Sequence, residues 1–213
     1  MYLTSFFILF SFFTIFSTQD TSKCMEAGTV TETFENIDIS GAFEVIVKCG
    51  VENTINIDAP EELKEYVIKE IRDNTLYIYI ANNKKNVHNK SINIKINIGI
   101  KDLKHVNLSG ACSLTINDIK NDNLEIDASG ANDIHLNGET KNLSVELSGA
   151  CNLDAKEFIT SKVKITLSGA TDAIVNVTDE LNVEVSGVSK VKYIGNPSKI
   201  TKDISGMSSL EKY

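Results

Sequence analysis

The side chains able to do chemistry in this chain fall into ladders rather than into one cluster. Three residues after each of six glycines stand Ser113, Asp133, Asn152, Asp172, Lys190 and Ser209, and directly before the same glycines stand Ser109, Ser129, Ser148, Ser168, Ser186 and Ser205. Stacked carboxylates can hold calcium or act on polysaccharides, because a hard cation wants several oxygen ligands. Asp133 and Asp172 lie two repeats apart with only Asn152 between them, so the ladder reads as a solvated outer corner. A serine becomes a nucleophile only beside a general base, and the pattern supplies none, so these hydroxyls are expected to satisfy backbone groups. His105 and His135 fall on different repeats without an obvious acidic partner and are expected to face outward from strands. Polysaccharide cleavage needs a base, paired carboxylates or a metal cluster in a cleft. The repeats hold no arginine and no tryptophan. No catalytic, metal or cofactor-binding residue is assigned, no cofactor is expected, and the chain reads as a non-enzyme.

What positions these ladders is the repeat itself. Leu108-Ser109-Gly110-Ala111 returns at Gly130, Gly149, Gly169, Gly187 and Gly206, at spacings of 20, 19, 20, 18 and 19 residues. A fixed period near 20 marks a repeat architecture. Apolar residues alternate with polar ones before each glycine (Leu143, Val145, Leu147) and after it (Ile134, Leu136), the pattern of strands with one buried face. Each glycine falls at the corner between two strands, where a Cβ would be penalised. Two strands, a corner and a polar return such as Asp118 to Asp122 make one coil, and stacked coils share a core. The expected fold is all-β, a right-handed parallel β-helix; an antiparallel sandwich is the rival, but its turns need not repeat the same letters.

The segment Leu3 to Phe16 is almost wholly apolar, too short for a comfortable span, and followed by polar residues. Residues 1–19 read as a secretory signal, with an uncleaved anchor as the alternative. Residues 20–102 read as a β-rich N-terminal part and cap, and 103–213 as the Ser-Gly coils of the same domain. Phe34 to Val47 is a first, outlying copy of the repeat around Gly41, and residues 48–101 read as degenerate coils or hairpins covering one end. The formal charge of −8 argues against nucleic acid and anionic membrane surfaces as partners. The mature chain is expected to be secreted, periplasmic or on the cell surface, without membrane insertion after signal cleavage. Asn89, Asn107, Asn142 and Asn176 are N-glycosylation acceptors if the source glycosylates exported proteins.

Cys112 and Cys151 share one repeat position two coils apart, roughly 10 Å at the strand spacing, and are expected to be free thiols. A Cys24–Cys49 disulfide is expected, which would pin the N-terminal segment to the cap.

The stretch Phe34-Glu35-Asn36-Ile37-Asp38-Ile39-Ser40-Gly41-Ala42-Phe43-Glu44-Val45, the Ser-Gly-Ala ladder and the ending Tyr193-Ile194-Gly195-Asn196-Pro197 together resemble the putative auto-transporter adhesin, head GIN domain family. The resemblance covers roughly residues 30–213. It implies a right-handed β-helical fold and an adhesive role toward a surface protein or glycan, and it supplies no catalytic residues. The runner-up reading is a β-helix that binds or degrades polysaccharides.

Overall fold

The structure is a computed structural model and describes residues 28–29, 32–81 and 94–213. The leader, Cys24 and Asn89 lie outside the described residues. Alternation sets the architecture. In β8 (His105–Gly110), β9 (Ser113–Gly130), β10 (Asp133–Gly149), β11 (Asn152–Gly169) and β12 (Asp172–Gly187), every second side chain points into one shared core. Successive coils pair in parallel and in register, Leu124 with Leu143, Val163 and Leu181, and Leu114 with Ile134, Leu153 and Ala173. These aliphatic columns are 0–2% exposed. Burial of each such side chain contributes about 1.5–3 kcal/mol, which no single coil could realise alone. The result is a β-solenoid of about 5 turns. No helix among the described residues is long and apolar enough to cross a membrane.

One expectation needs correction. The strands before each corner glycine make a first face and those after it a second, and the return between them is not a polar loop but a third face. Gly138 pairs with Ile119 and Phe158, and Thr140 with Asn121 and Thr160, so β9, β10 and β11 each run through all three faces without a break. Ile119, Phe158 and Val177 reach the core there, and buried Thr140 and Thr160 turn their hydroxyls to Asn121 Oδ1 at 2.6 Å and the Asn176 carbonyl at 2.7 Å.

The corner glycines form one column. Gly41, on β2 (Asn36–Gly41), pairs directly with Gly110 although 69 residues separate them in sequence. The column continues through Gly130, Gly149, Gly169 and Gly187, and the Met207 N–H, beside Gly206, reaches the Gly187 carbonyl at 2.9 Å. The intervening chain builds the cap. After β3 (Glu44–Cys49), β4 (Thr54–Asp58) leads into the single helical turn α1 (Glu61–Lys64) behind Pro60. The hairpin β5 (Val67–Arg72) and β6 (Thr75–Ile80) turns at Asp73-Asn74, whose φ of 48° and 62° fit a two-residue hairpin. β6 stacks outside β2, and β7 (Lys95–Ile100) stacks outside β3. The outermost strands β5 and β4 run antiparallel to β6 and β7, and β1 (Gly28–Thr29) runs antiparallel to β4, which ends the parallel stacking.

At the other end β13 (Lys190–Ile194), β14 (Lys199–Ile204) and β15 (Ser209–Lys212) close the stack with a wet coil, where Lys202 takes the register position of buried Val183.

Candidate functional site

Four sets of polar side chains follow from this register. The second-face ladder is real: Ser113, Asp133, Asn152, Asp172, Lys190 and Ser209 are successive partners. Asn152 donates to the Asp133 carboxylate at 2.8 Å, and Lys190 pairs with Glu211 at 3.0 Å. Asp133 and Asp172 stay on opposite sides of Asn152. No group of three or more His, Cys, Asp or Glu among the described residues is arranged to hold a metal ion.

The histidines do have acidic partners, contrary to the reading from sequence. His105 Nε2 lies 2.9 Å from Asp127 Oδ2 of the next coil, and His135 Nε2 lies 3.3 Å from Asp133 Oδ2. The second contact is two residues along one strand, the spacing that puts both side chains on one face. The first crosses between coils and becomes legible only once the register is known. On its other side His135 Nδ1 is 4.0 Å from Asp154, which Lys156 also reaches at 2.9 Å. Burial alone would raise the Asp154 carboxyl, but hydrogen bonds from the Lys156 ammonium and N–H, with the charges of Lys156 and His135, hold it below its ordinary value. Both imidazoles are outward and more than a third exposed, and each is engaged with a carboxylate.

The outer serines act on backbone at the far end of the stack. Ser186 Oγ donates to the Leu167 carbonyl at 3.5 Å and Ser205 Oγ to the Val185 carbonyl at 3.3 Å.

A fourth ladder lies inside the corner, and only its shared position of Cys112 and Cys151 was expected. Two residues after each glycine stand Phe43, Cys112, Asn132, Cys151, Thr171, Ser189 and Ser208. The side chains of Cys112, Asn132, Cys151, Ser189 and Ser208 take up corner groups of neighbouring coils. Cys112 Sγ is 3.5 Å from the Gly41 carbonyl, Ser189 Oγ 3.3 Å from that of Gly169 and Ser208 Oγ 3.2 Å from that of Gly187. In return, Asn132 Oδ1 accepts the Cys112 N–H at 3.0 Å, and Ser189 Oγ accepts the Thr171 N–H at 3.3 Å. The signal for it was the run of small polar residues at one offset. Cys112 and Cys151 are buried free thiols in this ladder; Cys49 is buried as well, and the bond expected to Cys24 falls on a residue outside the described ones. Burial pushes the Cys112 thiol up, and burial with the nearby Asp102 and Asp118 charges pushes Cys49 up to about 12.

Three described glycosylation acceptors have their amides in use. Asn107 donates to Asp38 at 2.8 Å, Asn142 to Asn123 at 2.9 Å and Asn176 to the Lys156 carbonyl at 3.2 Å.

A groove of about 1200 Å³ runs along the corner where the third face turns into the first. Asn123, Asn142 and Lys162 stand on its wall, and Glu125, Ser144, Lys164 and Asn182 project from the first-face strands. Leu124, Leu143 and Val163 lie beneath it, 1–2% exposed. A smaller concavity of about 280 Å³ surrounds His135, Asp154 and Lys156.

Comparison with known proteins places this geometry among relatives. The profile of a family described as "Putative auto-transporter adhesin, head GIN domain" matches residues 33–197. A crystal structure of a putative adhesin from Bacteroides fragilis NCTC 9343 superposes with a TM-score of 0.72 at 18% identity, over 88% of this chain and 95% of that one. A putative adhesin from Parabacteroides distasonis ATCC 8503 gives 0.50 at 15% identity, over 88% and 95%. At these identities the likeness shows the fold alone. No curated protein matches the sequence.

Proposed function

The chain belongs to the putative auto-transporter adhesin, head GIN domain family, and from that premise we propose that it is an exported binding protein without catalytic activity. It works outside the cytoplasm or at the cell surface and meets a surface protein or glycan along the sides of the solenoid. The observation that carries the reading is the in-register stacking of outward polar side chains, one rung per coil at roughly 4.8 Å. Such a surface is rigid because every rung is fixed by backbone pairing on both sides, so little ordering entropy is lost when a partner meets it. The imidazoles support the same reading: each is more than a third exposed and engaged with a carboxylate. The apolar leader supports export.

The test is adherence of beads carrying the purified chain to cells and extracellular matrix, alongside turnover assays on soluble polysaccharides. Saturable adherence without bond cleavage is the expected result. Cleavage that disappears in Asp133→Asn or His135→Ala would overturn it in favour of an enzyme.

A further inference from the structure

We propose that the long groove binds a neutral, hydroxyl-rich polysaccharide chain laid along the solenoid axis, an inference that rests on the binding reading above and gives it a site and a ligand class. Four consecutive rungs form the groove's first-face side: Glu125 pairs in register with Ser144, Ser144 with Lys164, and Lys164 with Asn182. None of these four side chains has a hydrogen-bond or ion-pair partner among the described residues. On the wall beside them the rungs satisfy each other, since Asn142 donates to Asn123, as Asn152 does to Asp133 on the second face. The groove therefore sets a fixed wall of tied asparagines beside a row of side chains with open donors and acceptors.

The order of those open groups selects the ligand. Glu125 accepts, Lys164 donates, and Ser144 and Asn182 do both, which suits hydroxyls that donate and accept in turn. One carboxylate and one ammonium cancel within the row, and the groove as a whole is lined by five lysines against four carboxylates, so it offers little net attraction to a polyanion. The apolar residues beneath are buried and present no pocket for the aromatic or aliphatic anchors that carry protein interfaces. With His105 beyond Glu125 in the same column, the row spans five coils, about 19 Å at the strand spacing, the reach of an extended polymer rather than of one small molecule.

The test is affinity electrophoresis of the full chain through gels containing a neutral polysaccharide (dextran, mannan, xylan or galactan) or an acidic one (alginate, polygalacturonate). Retardation by at least one neutral polymer is expected. Ser144→Arg and the double variant Lys164→Ala/Asn182→Ala should each weaken it at least tenfold, while Asp172→Arg on the second face leaves it unchanged. Circular dichroism and melting of each variant verify that it is folded. No retardation by any neutral polymer, retardation by acidic polymers alone, or equal loss in Asp172→Arg would overturn the proposal. Adherence of the same proteins to cells separates the two readings. Adherence that survives both groove variants removes the groove and keeps the binding function, whereas absence of adherence in every form removes the binding function itself.

Discussion

A Cβ built on Gly149 would lie 2.3 Å from the carbonyl oxygen of Gly130 in the coil before it. That oxygen accepts the Ala150 N–H at 2.8 Å, so the backbone cannot retreat without breaking a hydrogen bond. Gly149 also has φ of 103°, where an L side chain is strained. Gly149→Val is expected to cost on the order of 2–4 kcal/mol from strain and steric clash together. Gly50 is the control, since its φ is 76° but nothing lies within 4 Å of a built Cβ. Gly50→Ala should cost only the backbone term, about 1 kcal/mol. Denaturant unfolding of the two variants measures the difference, and equal losses would show that contact with the next coil is unimportant.

The inner corner ladder predicts two changes of opposite sign. Asn132→Ala strands the buried Cys112 N–H and should cost about 1–3 kcal/mol. Thr171 Oγ1 is buried without a partner among the described residues. Thr171→Val keeps the shape and removes the orphan hydroxyl, so it should be neutral or stabilising by up to about 1 kcal/mol. Thermal unfolding of the pair decides this, and a large loss in Thr171→Val would reveal a hydrogen bond to that hydroxyl.

Stability of the reduced chain should fall in alkali. The buried Cys49 thiol has its proton held to about 12, above its ordinary value near 9. Between those values the unfolded chain loses the proton and the folded chain keeps it, so stability is full below about pH 9 and declines as pH rises toward 12. Cys49→Ala should flatten that slope in denaturant titrations at pH 8, 9 and 10. An unchanged slope would place the alkaline loss elsewhere.

The coil was readable because its signals are local: period-two alternation, a glycine at a fixed offset and turn residues such as Asp73-Asn74. The third face was not readable, because Gly138, Ile119 and Phe158 share one position without sharing a residue type. Only backbone pairing makes them equivalent. The same limit hid the His105–Asp127 contact, which depends on which rung faces which. The open row Glu125, Ser144, Lys164 and Asn182 has four different letters and becomes a surface only after stacking. Conversely, the outlying copy around Gly41 was legible as a repeat, but its place directly beside Gly110 was not, since the cap strands β6 and β7 were added on its other side.

The last prediction concerns the uncapped end of the stack. β14 pairs with β12 on one side only, and an unpaired parallel edge invites another strand. Apolar groups are available there, with Ile200 42% and Met207 80% exposed. Lys202 occupies the position held by core-facing Val145, Ile165 and Val183 in earlier coils. A second chain stacking on this end would have to bury that ammonium without a partner, at a cost of several kcal/mol. Lys202→Val removes the obstacle and continues the aliphatic column. It should give a concentration-dependent dimer in sedimentation velocity, while Thr201→Val, at the outward position beside it, should sediment as the parent chain does. A Lys202→Val variant indistinguishable from the parent would show that the end is closed by the geometry of its last coil rather than by its charge.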